Sequence, residues 1–361
     1  MKVYQTDEIR NVALIGAAKS GKTTLAENLL FEGKAINRKG SVDDKNTVSD
    51  YRQIELDRQI SVHLSLLHTI HEDKKINILD TPGFSDFSGD ILAATSVADT
   101  AILTVNGQAG VEATTENAWK MAAISETPVV FFVNQLDHTN ANFDEAVRQI
   151  KDYFGDKATL VQYPVNAGEG FDSIIDLMLM KMLKFSQDGG APEILDIPAD
   201  EKEKAEALHK ELIENASEGD DALMEKYFEN DTLSLEETRK GVRLGLVQRV
   251  IFPIMCGAVK HGIGVHRLMD FIVHSCPAPN NVNPCKTTEG KEYHCDVKEP
   301  DGLFVFKVAN EQHLGEVSLI KVYGGTISEG QDLINPRNGH KERISQLFVV
   351  NGKNREKVDK V

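Results

Sequence analysis

Cysteine is sparse and carries no metal or redox spacing. The four thiols, Cys256, Cys276, Cys285 and Cys295, contain no CxxC pair, and no apolar leader precedes them in "MKVYQTDEIRNVALIG", which points to reduced thiols in a cytoplasm. No apolar run approaches the roughly 20 residues that a membrane helix requires, so the expectation is a soluble, unexported chain with no membrane contact. Positive charge is also in deficit. With 40 Lys and Arg against 56 Asp and Glu, the formal net charge is -16. A nucleic-acid or anionic-membrane surface spread over the whole chain is excluded by that balance, and any RNA contact is local or lies elsewhere.

The 361 residues exceed one ordinary domain and suffice for two or three folding units. The apolar run "NVALIG", a Gly-rich turn and "KTTLAENLLFEG" read as strand, loop and helix. "ISVHLSLLHTI" alternates like a strand, "HEDKK" is a turn and "INILD" a short buried strand. The β-branched runs "TAILTVNG" and "PVVFFVNQLD" alternate with the helical patterns "TTENAWKMAAI" and "FDEAVRQIKDYF", which predicts an α/β fold with a mostly parallel sheet covered on both faces. Residues from about 191 to 249 are rich in Glu, Lys and Ala and lack strand signals, so an inserted helical unit is expected there. The α/β pattern resumes with "VIFPIMCGAV" and "GVHRLMDFIVHSC" before the linker "PAPNNVNP". The remaining segment, "GLFVFKVANEQHLGEVSLIKVYGGTISEGQDLINP", has the short strands and Gly turns of a small β-barrel, expected to be incomplete at Val361. The expected domains are 1–280, containing the insert, and 281–361.

Three motifs carry chemistry. "GAAKSGKT" (Gly16, Ala17, Ala18, Lys19, Ser20, Gly21, Lys22, Thr23), followed by Thr24, fits GxxxxGK[ST] between a buried strand and an amphipathic helix. Its backbone N–H groups and the helix N-terminus suit phosphates, Lys22 suits the β/γ oxygens, and the Thr23 hydroxyl suits Mg²⁺. At the end of a strand some sixty residues on, "DTPGF" (Asp80, Thr81, Pro82, Gly83, Phe84) supplies a carboxylate for that Mg²⁺ and a Gly83 N–H for a γ-phosphate. "NQLD" (Asn134, Gln135, Leu136, Asp137) follows another strand, where the Asp137 carboxylate can accept both N1–H and the N2 amine of guanine.

The chain resembles the N-terminal part of a translational GTPase of the elongation factor G family. The similarity runs from about Glu8 to the end. "GSVDDKNTVSDYRQIELDRQISV" is similar to that family's first switch, "YPVNAGEGFDSIIDLMLMKMLKF" to the approach to its insert and "DALMEKYFEND" to the insert itself. "PIMCGAVKHGIGV" resembles the fifth, guanine-contacting motif (Cys256, Gly257, Ala258), and "KVYGGTISEGQDL" resembles domain II. The resemblance implies a monomeric, cytoplasmic GTP/GDP- and Mg²⁺-binding elongation factor of protein biosynthesis that promotes translocation on the ribosome. It implies catalytic roles for Lys22, Asp80 and Gly83, Mg²⁺ held by Thr23, Ser61 and Asp80, ribosomal RNA and the large-subunit factor-binding region as partners, and a stalk protein bound by the 191–249 insert.

Departures cluster on the nucleotide site. The family's DTPGH histidine, which positions the attacking water, is Phe84 here, and a phenyl ring neither donates nor accepts that hydrogen bond. Such a loss removes roughly 10²- to 10⁴-fold in rate while leaving binding intact. Arg58-Gln59-Ile60-Ser61-Val62 replaces the family's RGITI, keeping a hydroxyl at Ser61 and putting Gln59 in place of a flexible glycine. Gln135 replaces the NKxD lysine, Ala258 replaces a serine, and Lys19 stands where the family usually has Asp, so its ammonium could replace a monovalent cation near the phosphates. Three function classes stay open on the sequence: a ribosome-stimulated GTPase, a GTP-dependent ribosome-binding module that hardly hydrolyses, and a ribosomal-protection factor.

Overall fold

The computed structural model describes residues 2–186, 189–287, 289–311 and 315–361; residues 312–314 of the β-rich segment quoted above lie outside them. The chain begins with β1 (Ile9–Gly16), α1 (Lys22–Glu32), α2 (Gln53–Arg58), β2 (Ser65–His71) and β3 (Lys74–Asp80). It continues through α3 (Ser88–Thr95), β4 (Thr100–Asn106), α4 (Ala113–Ile124), β5 (Val129–Asn134), α5 (Phe143–Phe154) and β6 (Ala158–Leu160). Together with a later strand, β11 (Phe252–Cys256), the strands form a seven-stranded sheet in the order β2-β3-β1-β4-β5-β11-β6. Only the β2–β3 pair is antiparallel. The central strands are covered on both faces, which is why β4 and β5 carry apolar runs: Ala101, Ile102, Leu103, Val105 and Val129–Val133 are all fully buried. The antiparallel edge closes through Glu72 and Asp73, both at positive φ (44° and 60°), as a two-residue hairpin in a right-twisted sheet requires.

Helix α5 shows how local sequence sets an element. Phe143, Ala146, Val147 and Ile150 repeat at helical spacing and are the residues it buries. The Asn142 side chain caps its start by accepting from Glu145 N–H at 3.1 Å, and Gly155 at φ 97° ends it.

Between β6 and the insert helices lies a second, antiparallel sheet of β7 (Gln162–Pro164), β8 (Ser173–Asp176), β9 (Lys181–Lys184) and β10 (Glu193–Leu195). Strand β10 corrects the expectation that 191–249 holds no strand: three residues are too few for a periodic signal, and pairing to β9 decides their conformation. Helices α6 (Lys202–Ser217), α7 (Asp221–Asn230) and α8 (Leu235–Gln248) follow. Ser234 and Glu237 form a reciprocal capping box at the start of α8. Gly241 lets α8 cross α6 closely, since a Cβ there would strike the carbonyl of Ala216. Ala205, Leu212, Ala216, Val242 and Leu246 join the main core, while Ile213, Leu223, Tyr227 and Leu233 form a small core of their own.

Strand β11 (Phe252–Cys256) and α9 (Val265–Ser275) complete the α/β unit. Beyond them, β12 (Cys285–Lys286), β13 (Glu292–Tyr293), β14 (Gly302–Glu311), β15 (Gly315–Gly324), β16 (Asp332–Ile334), β17 (Lys341–Arg343), β18 (Leu347–Asn351) and β19 (Asn354–Val358) pair as antiparallel ladders. Among the described residues these are four two-stranded pairs, β12–β13, β14–β15, β16–β17 and β18–β19. Single bridges such as Ser328 to Lys360 tie in the loops around them. Cys256, Cys276 and Cys295 are buried free thiols and Cys285 is an exposed one.

Candidate nucleotide site

Four loops meet at the carboxyl ends of β1, β3, β5 and β11. The Gly-rich loop leaves β1 at Gly16, whose φ of 134° only glycine adopts freely and whose missing Cβ makes room for Thr104. Gly21, at φ 99°, opens α1, and a side chain there would collide with the amide of Asn134. Ser20 Oγ ties the loop to the sheet, bonding to Ala17 O at 2.8 Å and to Thr104 Oγ1 at 2.6 Å. Lys22 is buried and donates to Gly16 O (3.1 Å) and Ala17 O (2.7 Å). Burial lowers its pKa to about 8, although Asp80 and Asp50 oppose the shift. Lys19 holds a left-handed φ of 64° with its side chain exposed.

The loop after β3 lies directly on this one. Thr81 is anchored to Leu14 O through both N–H (3.3 Å) and Oγ1 (2.7 Å), and Pro82 and Gly83 are buried. A Cβ on Gly83 would come within 2.6 Å of Lys22 Nζ and 2.5 Å of Ala18 N, so the close approach of the two loops requires glycine. Phe84, the next residue, turns outward and is 37% exposed.

Oxygen atoms converge below Lys22. Asp80 Oδ2 accepts from Thr23 Oγ1 (2.9 Å) and Ser49 Oγ (2.6 Å), and Ser61 Oγ lies 3.1 Å from Thr23 Oγ1. Asp80 is buried, and burial first and Asp50 second raise its pKa to about 7 against Ser49, Lys22 and Thr23. The carboxyl of Asp50 is likewise raised by burial. Asp80 Oδ1 and Asp50 Oδ1 are buried without a hydrogen-bond partner. Two buried carboxylates and three hydroxyls therefore share one ammonium, Lys22. That excess of hard, under-satisfied oxygen suits a divalent cation of the Mg²⁺ type.

Asn134 bridges the two remaining loops. It donates through Nδ2 to Ser20 O (2.8 Å) and accepts through Oδ1 from Val259 N–H (3.0 Å). Gln135, at φ 63°, locks onto the Gly-rich loop: Nε2 donates to Lys19 O at 2.9 Å, and Oε1 accepts from Asn106 Nδ2 at 2.6 Å. Leu136 is buried, with its N–H on Gly257 O at 3.3 Å. Asp137 is partly exposed and pairs with His261 Nε2 at 3.3 Å. Gly257 lies against Phe132 and Ile263, Cys256 is a buried thiol whose pKa burial pushes up, and Ala258 exchanges backbone hydrogen bonds with Ile263.

The structure thus brings the 16–24, 80–84, 134–137 and 256–258 segments to one place, with Ser61 beside Thr23. Sequence reasoning missed Ser49 and Asp50, which reach the oxygen cluster from a long polar loop. It also missed Glu27, which accepts from Gly40 N–H (3.1 Å) and Val48 N–H to fold that loop onto α1. Glu55 was missed too: it is fully buried and accepts from Val62 N–H (3.3 Å) and His63 N–H (3.1 Å), directly after Ser61. The available signal was an acidic residue on an otherwise apolar helix face, as in Glu27 of "LAENLL".

The chain is similar to known proteins. Residues 7–278 match the family model described as elongation factor Tu GTP binding domain. Elongation factor G of Ureaplasma parvum serovar 3 is 33% identical over 359 residues, 98% of this chain and 52% of the relative, and the elongation factor G of Ureaplasma urealyticum serovar 10 matches to the same extent. A crystal structure from Thermus thermophilus aligns with TM-score 0.86 at 27% identity, covering 98% of this chain and 51% of that one. The chain spans about half the length of the curated relatives it matches. It belongs to the translational GTPase family, whose GTP-binding domain it carries at residues 7–278.

Proposed function

We propose that this chain is the guanine-nucleotide switch of a factor of the elongation factor G type, one that engages the ribosome with GTP, promotes translocation and hydrolyses GTP slowly. The observation that carries the last clause is Phe84. It occupies the tip of the loop laid over the Gly-rich segment, where the resemblance implies a histidine, and it offers no nitrogen or oxygen to an attacking water. Asp137 reads the guanine edge, giving up its pairing with His261 to do so. Lys22 and the N–H groups of residues 16–24 receive the phosphates, releasing the ammonium from Gly16 O and Ala17 O. Asp80, Thr23 and Ser61, joined by Asp50, would hold Mg²⁺, which when bound supplies positive charge against the phosphate oxygens. The insert helices α6–α8 are assigned to a stalk protein, ribosomal RNA to a local contact or one made elsewhere, and the domain boundary to about residue 280.

Co-sedimentation of the protein with ribosomes tests the reading. GTP should retain it for as long as a non-hydrolysable GTP analogue does, and GDP should release it. Retention with GTP that decays to the GDP level within a few catalytic cycles of ordinary family members contradicts slow hydrolysis, and retention that ignores the nucleotide contradicts the switch.

A further inference from the structure

A cluster outside the nucleotide site has ligand chemistry of its own. His71 ends β2, and His266 and Asp270 stand four residues apart on one face of α9, with one ligand atom from each residue lying within 4.8 Å of the other two. We propose that these three residues bind a divalent transition metal of the zinc type at the junction of the β2–β3 hairpin with α9.

His71 Nε2 already lies 2.7 Å from Asp270 Oδ1, and the two imidazoles meet edge to face at 5.2 Å between centroids. Zinc bonds of 2.0–2.1 Å in a tetrahedron set ligand atoms about 3.3 Å apart. The close pair opens slightly and the third ligand moves in, adjustments that side-chain torsions supply. Two imidazoles and one carboxylate are a borderline set that favours zinc over Mg²⁺ or Ca²⁺, which take oxygen. Support from a further residue is also present. Glu32, at the end of α1, has Oε2 3.7 Å from His266 Nδ1 and is itself fixed by Gly190 N–H at 2.9 Å. A carboxylate behind a histidine orients the ring and leaves Nε2 for the metal. All three ligands are partly buried, so solvent reaches the cluster, and water can fill a fourth position. The bound ion would fasten the hairpin between Ser61 and Asp80 onto α9, and through Glu32 onto the helix that follows the Gly-rich loop.

Calorimetric titration of the chain with Zn²⁺ alone as probe, its nucleotide site saturated with GDP and Mg²⁺, tests the site. One equivalent per chain is expected, with a thermal midpoint that rises on addition. His266→Ala and Asp270→Asn should each weaken binding by at least about 100-fold and Glu32→Gln by about 10-fold, all three with unaltered GDP affinity as evidence of an intact fold. His138→Ala, on an exposed loop, should change nothing. A native chain that takes up no stoichiometric zinc overturns the proposal, as does uptake that survives all three substitutions.

Discussion

Asp80 is where the charge balance of the nucleotide site is decided. Its folded-state pKa of about 7 lies above the ordinary 3.8 because burial and Asp50 outweigh Ser49, Lys22 and Thr23. A carboxyl with a raised folded pKa is most at home in the fold below its unfolded value, and that contribution is lost as pH climbs through the folded value. Without nucleotide and Mg²⁺, thermal stability should therefore fall between about pH 4 and pH 7 by more in the native protein than in Asp80→Asn, and Mg²⁺ should recover it in the native protein only. Melting curves over that range, with and without Mg²⁺, check this; identical profiles for the two proteins contradict it. Lys22, Thr23 and Asp80 were legible because strand–loop–helix patterning predicts where their side chains converge. Asp50 was not, because its place depends on the 20-residue loop 33–52 folding back onto Glu27.

Among the elements beside the nucleotide site, α2 is one that the sequence pattern does not announce. It has six residues and ends at Gln59 in a left-handed conformation (φ 53°, ψ 40°), the backbone state that explains why the family keeps glycine there. Glu55 holds the turn that follows, accepting from the N–H groups of Val62 and His63, and also from Arg52 N–H at 3.2 Å. An unmet buried N–H costs about 1–3 kcal/mol. Glu55→Ala should destabilise the segment around Ser61 by about 2 kcal/mol, read as faster hydrogen exchange at Val62 and weaker Mg²⁺ binding. Unchanged exchange at Val62 would show that the turn is held by something else. Strands β1, β4, β5 and β11 and helices α4, α5 and α9 were readable as long periodic segments. The β7–β10 sheet escaped because its strands are three or four residues long and are set by pairing rather than by pattern.

At the scale of the whole molecule, the C-terminal β unit touches both nucleotide-facing segments. Glu311 of β14 accepts from Arg52 Nη2 at 3.1 Å, just before α2, and pairs with Arg355 of β19 at 2.9 Å. Lys307 of β14 pairs at 2.6 Å with Asp90 of α3, whose Oδ2 also accepts Leu64 N–H at 2.7 Å. These partly buried pairs give nucleotide-dependent shifts a route into the β unit. Lys307→Ala should leave GTP affinity within about twofold and abolish the GTP-against-GDP difference in hydrogen exchange of β14 and β15; a preserved difference contradicts the coupling. The central claim concerns turnover, and multiple-turnover GTP hydrolysis on ribosomes by the native protein and by Phe84→His tests it most directly. The account predicts a rate that rises roughly 10²-fold or more when the imidazole is restored, with GTP affinity unchanged. A native protein that already turns over as fast as the histidine variant would contradict it.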